Sequence, residues 1–377
     1  MDFSFSEEQE AVRDLAHQIL EGQVTPDRLK EIEAGEERFD RRTWAELAKA
    51  NLLGIALPDD VGGSGLGLIE LALILEEVGR TVAYVPLLST LVLGALPVAE
   101  FGSAEQRKAL LPSVAAGDLV LTAALVEPGT DPGRPTTTAT RAGDGWRLDG
   151  VKVCVPDGLL AGRILVPAAT GEGTVGVFLV DPAAAGVTRQ RQDTTSGRPE
   201  ARLELDGVAV ADADVLGNPV GDPTGGAAIV EWIVERAEAG ACAIATGVCE
   251  TALHMTAEYT KTREQFDRPI ATFQAVGQRA ADAYIDTEAI RLTALQAAWR
   301  LEEGLPAGTE VAVAKFWAAD GGQRVVHAAA HLHGGMGVDR DYPLHRYFLW
   351  AKHLELTLGS ATPQLVKLGV MLAAEPV

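Results

Sequence analysis

Apolar positions recur with a helical period at both ends of the chain and as short, alternating runs in its middle. Ser6 followed by Gln9 reads as a capping box, and Val12, Leu15, Ile19 and Leu20 then share one helical face, so a first helix is expected to start near Ser6. Further helices are expected near 40–53, closed by Gly54, and over 66–78, while Ser103 with Gln106 marks the cap of a fourth. Residues 1–118 therefore read as a helical domain.

From 119 to about 214 the texture changes to β-rich runs at 121–125, 146–148, 151–155, 164–166, 175–180 and 202–205. Turn pairs such as Pro128-Gly129, Asp144-Gly145, Asp149-Gly150 and Asp157-Gly158 separate them. No long helices alternate with these strands, so a parallel dinucleotide-binding sheet is disfavoured and a small antiparallel barrel or sandwich is expected over 119–224. The helical period returns over 225–377, in tracts near 226–262, 270–303 and 307–333 and a last stretch from about Gly359, punctuated by Pro269 and the Gly304–Pro306 turn. The class is α+β, in the order helical, β, helical, and that order alone identifies no function.

A chain of 377 residues exceeds what one core usually organises and has volume for a buried cofactor cleft. Its net charge of −21 repels nucleic-acid phosphates and anionic headgroups, so DNA, RNA and membrane surfaces are disfavoured partners. An anionic coenzyme would need a local basic lining. Cys154, Cys242 and Cys249 have no metal-ligand spacing and cannot form an even disulfide framework, which points to no metal and a reducing, cytoplasmic setting. The opening residues lack a basic segment followed by an apolar core, and the apolar run at 87–98 is too short and too broken to span a bilayer.

The chemistry concentrates in two C-terminal tracts. One is Tyr259-Thr260-Lys261-Thr262-Arg263-Glu264-Gln265-Phe266, followed by Arg268-Pro269-Ile270 and Phe273-Gln274; the other is His333-Gly334-Gly335-Met336-Gly337 with Tyr342-Pro343. A glycine turn lets backbone N–H groups approach a phosphate or a polar ring edge, and an arginine offers a planar fork to a pyrophosphate. As a set these tracts resemble the acyl-CoA dehydrogenase family, and the resemblance covers the full chain. It implies a helical domain, a β-barrel and a four-helix bundle, FAD as cofactor, and desaturation of an acyl-CoA thioester between its α and β carbons. It also implies cofactor contacts by Arg263, Gln265, Phe266, Gln274, Gly334, Gly335 and Gly337, part of them across a subunit interface.

The chain departs from the family pattern at several flavin-side positions. Asp267 stands where a glycine is usual, His331 where a glutamine is, and Val126 where a threonine precedes the Glu127-Pro128-Gly129 match. Val153-Cys154-Val155 occupies the place of an aromatic and a flavin-bonding threonine.

The reaction needs a carboxylate aimed at Cα in a desolvated site. Many family members carry it near the C-terminus, where this chain has Leu356-Thr357-Leu358-Gly359-Ser360, and Leu358 cannot take a proton. Members resembling isovaleryl-CoA dehydrogenase place it on the first long helix of the C-terminal domain, before an arginine, and Ile233-Val234-Glu235-Arg236 fits that position. Glu235 is then the expected base, with Arg236 tuning the carboxylate or a substrate oxygen. The i, i+4, i+7 spacing of Glu231, Glu235 and Glu238 equally suits a solvated helix face, and Arg236 a structural ion pair.

The run of small residues from Ala237 to Ala245 leaves room for a branched or ring-bearing acyl group, or simply packs helices closely. With the shifted base and the Tyr342–Phe348 tract, the chain looks like the actinobacterial acyl-CoA dehydrogenases of steroid side chains. These are commonly α2β2 heterotetramers, which implies a second dehydrogenase-like subunit and an acceptor such as electron-transfer flavoprotein. Three readings stay open: a catalytic subunit using Glu235, a non-catalytic partner completing another chain's FAD site, and an oxygen-using acyl-CoA oxidase.

Overall fold

The computed structural model describes residues 4–217 and 225–374. Helix α1 (Glu7–Gln23) starts at Ser6, whose hydroxyl accepts the Gln9 N–H while the Gln9 side chain accepts the Ser6 N–H. After α2 (Pro26–Ala34), α3 (Arg41–Lys49) is capped by Asp40. The helix expected to run to 53 stops at Lys49, because Asn51 turns left-handed at φ 56° and the chain continues as a 3-10 turn, Leu52–Gly54. Next come α4 (Leu68–Thr81), α5 (Leu96–Phe101) and α6 (Ala104–Ala115), the last opened by the Ser103–Gln106 box. Leu88–Ala95, directly before α5, is a π-helix with its residues buried from Ser89 onward.

The middle segment forms strands β1 (Leu121–Ala123), β2 (Thr138–Ala142), β3 (Gly145–Pro156), β4 (Arg163–Gly171), β5 (Thr174–Val180), β6 (Val187–Gln192), β7 (Glu200–Ala211) and β8 (Val215–Leu216). They make one sheet in the order β6-β7-β3-β2-β4-β5-β8, with β1 added beside β4. This corrects the expectation of an antiparallel barrel. Among the described residues the two ends of the sheet do not pair, and β1 and β2 both run parallel to β4. The end strands explain the open form: β8 is only two residues long, and β6 has no buried residue and carries Arg189 and Arg191. Short and charged edges resist further pairing. Inside the sheet, Leu148, Phe178, Val180 and Leu203 are buried, and Trp146 meets Phe178 edge to face at 5.5 Å.

The C-terminal segment holds α7 (Gly225–Thr262), a two-strand hairpin of β9 (Glu264–Gln265) and β10 (Arg268–Pro269), α8 (Gln274–Glu302), α9 (Gly308–Phe316), α10 (Gly322–His333), α11 (Leu344–Leu356) and α12 (Ala361–Ala374). A π-turn at Trp317–Gly321 joins α9 and α10 without a break in the helical run. No helix among the described residues is long and apolar enough to cross a membrane.

By contact the chain divides into two compact units. The first is Met1–Lys30, Leu68–Ala83 and Glu238–Val377; the second is Glu31–Gly67 and Tyr84–Ala237. In the first, α4 crosses α7 with backbones nearly touching: a Cβ on Gly79 would lie 2.1 Å from the Ile244 carbonyl oxygen, and one on Gly247 2.0 Å from that of Glu76. A buried ion network ties the same helices to α8. Arg80 binds Glu76 at 2.5 Å, Glu77 at 2.9 Å and Glu250, and Arg291 binds Glu76 at 2.8 Å and Glu250 at 2.6 Å. Burial pushes the Glu76 carboxyl up, and the Arg291 and Arg80 guanidinium groups oppose that shift.

Candidate active site

Arg263 follows the end of α7, its N–H still bonded to the Tyr259 carbonyl at 2.8 Å, while its own carbonyl accepts the Ile270 N–H at 2.8 Å. Between these bonds the chain makes the β9–β10 hairpin, whose two turn residues, Phe266 and Asp267, have φ of 55° and 61°. Two consecutive left-handed residues form a tight mirror-image turn that glycine, asparagine or aspartate favours at its second position. Asp267, at the place where the family usually has a glycine, adopts this left-handed conformation. Phe266 is 87% exposed and meets Phe273, the residue before Gln274, at 6.1 Å edge to face. Arg263, Gln265, Phe266 and Gln274 are all exposed on this corner, and the Arg263 guanidinium has no protein partner among the described residues.

The glycine turn follows α10. Gly334 has φ 60° and ψ −135°, a conformation essentially restricted to glycine, and a Cβ on Gly334 or Gly335 would meet no atom within 4 Å. Gly337 is buried, and a Cβ there would lie 2.8 Å from the Ala330 carbonyl oxygen. Two exposed glycines therefore face open space while the third anchors the turn. Open glycine backbone and an unpartnered guanidinium suit the phosphates of a dinucleotide. His331 is exposed, whereas His333 is buried beneath the turn and stacks on Tyr259 at 4.3 Å. That stack brings the end of α7, and hence the Arg263 segment, beside the glycine turn.

Glu235 and Arg236 belong to the second unit. The stripe seen in the sequence grades along α7 from Glu231, exposed, through Glu235, half-buried, to Glu238, buried. Arg236 lies over the Trp232 ring at 3.6 Å and donates to the Trp232 carbonyl at 3.3 Å, and Phe101 abuts Trp232 edge to face at 5.2 Å. Burial pulls the Arg236 guanidinium down to about 10, against the opposing pull of Glu235 and Glu100. Glu238 is engaged in the first unit by Gln364 at 2.7 Å and Lys367 at 3.2 Å.

Sequence reasoning missed a buried pair at the flavin-side motif. Glu127 receives the Lys152 ammonium at 2.5 Å, the Thr136 N–H at 2.6 Å and the Thr137 N–H at 3.1 Å. Burial alone would raise this carboxyl; the bonds from Lys152, Thr136 and Thr137 outweigh it and hold the group at about 2. A lysine set among valines in an alternating run was the available signal. One bulge further on, Cys154 sits at φ 51°, its thiol pushed up to about 11 by burial and by Glu200, to which it is hydrogen bonded. At the C-terminal position Leu358 is left-handed at φ 54°, and Glu355 is bound by Lys352 at 2.5 Å.

The N-terminal domain profile of acyl-CoA dehydrogenases matches residues 6–118 and the C-terminal domain profile residues 224–367. Acyl-CoA dehydrogenase FadE27 of Mycobacterium tuberculosis (strain ATCC 25618 / H37Rv) is 41% identical over the whole of both chains. The chain belongs to the acyl-CoA dehydrogenase family. It is an oxidoreductase that dehydrogenates an acyl-CoA with FAD as cofactor. Among solved structures, it superposes on the ChsE4-ChsE5 complex from Mycobacterium tuberculosis with a TM-score of 0.94 at 42% identity, covering all of both chains. A single-residue variant of the Tcur3481-Tcur3483 steroid ACAD gives 0.91 at 46% identity, covering 98% of each.

Proposed function

We propose that Glu235 is the base that removes the α-proton of the acyl-CoA, in a cytoplasmic, α2β2 heteromeric dehydrogenase acting on a steroid side-chain or branched acyl-CoA. The observation that carries the assignment is position: Leu358 stands at the C-terminal place of the carboxylate and cannot take a proton, while Glu235 is half-buried on α7 directly before Arg236. Half-buried Glu235, next to a desolvated arginine, has the setting of a group whose charge must be moved during a reaction.

Bound FAD supplies the acceptor for the β-hydride. The chain's own part is to hold the cofactor with Arg263, Gln265, Phe266, Gln274 and the glycines 334, 335 and 337, and to take the proton at Cα on Glu235. Arg236 holds positive charge beside that carboxylate. The similarity to the ChsE4-ChsE5 complex and to a steroid dehydrogenase supports the heteromer and the steroid substrate. The exposed apolar side chains of Phe266 and, on α12, Leu365, Val366, Val370 and Leu372 suit burial against another subunit. Electrons leave to an electron-transfer flavoprotein.

Glu235→Gln keeps size and removes basicity. In the assembled enzyme it is expected to slow substrate-driven flavin bleaching by about 100-fold or more with FAD content unchanged. An unchanged bleaching rate refutes the assignment. It would instead favour the reading of a non-catalytic partner subunit, which has its own support: Glu127 and Cys154, at two flavin-side positions, are already engaged by Lys152 and Glu200.

A further inference from the structure

His333, buried at the end of α10, is engaged on both ring nitrogens and on one face. Its Nδ1 lies 2.8 Å from the Ala329 carbonyl, its Nε2 3.1 Å from the Tyr342 hydroxyl, and its ring stacks on Tyr259 with 23° between planes. A carbonyl can only accept, so Nδ1 carries the hydrogen; Nε2 of the neutral ring is then an acceptor, and Tyr342 donates to it. Both ring nitrogens and one face of the imidazole are used, and burial lowers its pKa, which keeps the ring neutral at neutral pH.

The three contacts come from three segments. Ala329 lies one turn back on α10, Tyr342 closes the loop that follows the glycine turn, and Tyr259 sits four residues before Arg263, whose N–H it receives. Gly334, directly after His333, begins the turn, and a Cβ on Gly334 or Gly335 would meet no described atom within 4 Å. Among the described residues the turn is fastened through His333, from which it starts, and through Gly337, which packs on Ala330.

We propose that His333 is a positioning residue for FAD, locking the glycine turn to the end of the helix that presents Arg263, with Tyr342 as the bolt of that lock. The inference rests on the FAD-binding residues proposed above. Pre-ordering matters because a turn free to sample other glycine conformations must be ordered at the expense of binding free energy. Tyr342→Phe removes one hydroxyl and keeps the ring; His333→Phe keeps a ring against Tyr259 and removes both hydrogen bonds.

The test uses the assembly that co-purifies with the full chain, stripped of flavin and titrated with FAD, following flavin fluorescence and the visible circular dichroism of the bound flavin. Each variant, and the double variant alike, is expected to bind FAD about tenfold more weakly, with an altered flavin dichroism band and unchanged far-ultraviolet dichroism. Wild-type affinity and dichroism in both single variants overturn the inference while leaving the FAD site standing. Losses that multiply in the double variant also overturn it, because the two side chains would then act separately. A wild-type assembly that takes up no FAD removes both the inference and the site it rests on.

Discussion

Replacing Lys152 with methionine tests whether the flavin-side glutamate is a structural ion. The Lys152 and Glu127 side chains are 0% and 1% exposed, and their charged atoms lie 2.5 Å apart. Taking away the cation leaves a carboxylate bonded to the Thr136 and Thr137 amides but sealed from water, and breaking a buried pair in this way costs about 3–5 kcal/mol. At roughly 2–4 °C per kcal/mol for a unit of this size, Lys152→Met should lower the melting transition of that unit by on the order of 10 °C. Adding Glu127→Gln removes the stranded charge and should restore most of the loss. The pH dependence carries a sign. In the wild type the Glu127 carboxyl is held down at about 2, so its contribution is complete above the ordinary carboxylate value of about 4.5 and is lost as pH falls through about 2. In Lys152→Met the same carboxyl loses its main partner and takes up a proton more readily, so the deficit should be largest at neutral pH and shrink on acidification. Thermal melts of the two single variants and the double, at neutral and mildly acidic pH, decide it. A deficit below about 0.5 kcal/mol in the single variant, or a double variant worse than either single, refutes the reasoning.

Gly247→Ala would drive a Cβ to 2.0 Å from the Glu76 carbonyl oxygen. Because backbone rather than a flexible side chain is in the way, the expected result is a loss of at least about 1–3 kcal/mol, read as a lowered denaturation midpoint, whereas a wild-type midpoint would show the crossing to be loose. Cys154 is exposed, yet its thiol is pushed up to about 11, so iodoacetamide at pH 8 should label it far more slowly than a free cysteine of pKa about 8.5. Peptide mass spectrometry checks this, and labelling as fast as free cysteine would be contrary to the hydrogen bond with Glu200.

What could be read from the sequence was whatever local chemistry decides. Both capping boxes form as written, since Ser6 with Gln9 and Ser103 with Gln106 need only their own turn. The left-handed hairpin at Phe266-Asp267 lay hidden, because the usual glycine was absent and aspartate also accepts that conformation. Helix α11 escaped notice: in Leu344–Leu356, with arginine, histidine and lysine spread among the apolar residues, the tract stood out as a motif and not as an element. The π-helix at Leu88–Ala95 is buried from Ser89 onward, the polar Ser89 and Thr90 included, and period carries no information where all faces are buried. The expected barrel failed for a different reason: alternation tells which strands have a buried face and is silent on whether the first and last will meet. The lysine among valines at 152 was a visible local signal, but its partner Glu127 lies 25 residues away, and no local rule names it.

Phe266 is a poor choice for a chain that only has to fold. Its backbone is left-handed, where a bulky residue is strained, and its ring stands almost wholly in water. Asparagine or glycine at the same spot would relieve the strain and remove a sticky tip from the surface. Such a residue makes the solitary chain less soluble and less stable than it could be. Purified alone it should be prone to association at this corner, and a phenyl ring kept at that disadvantage serves something that lies beyond its own fold.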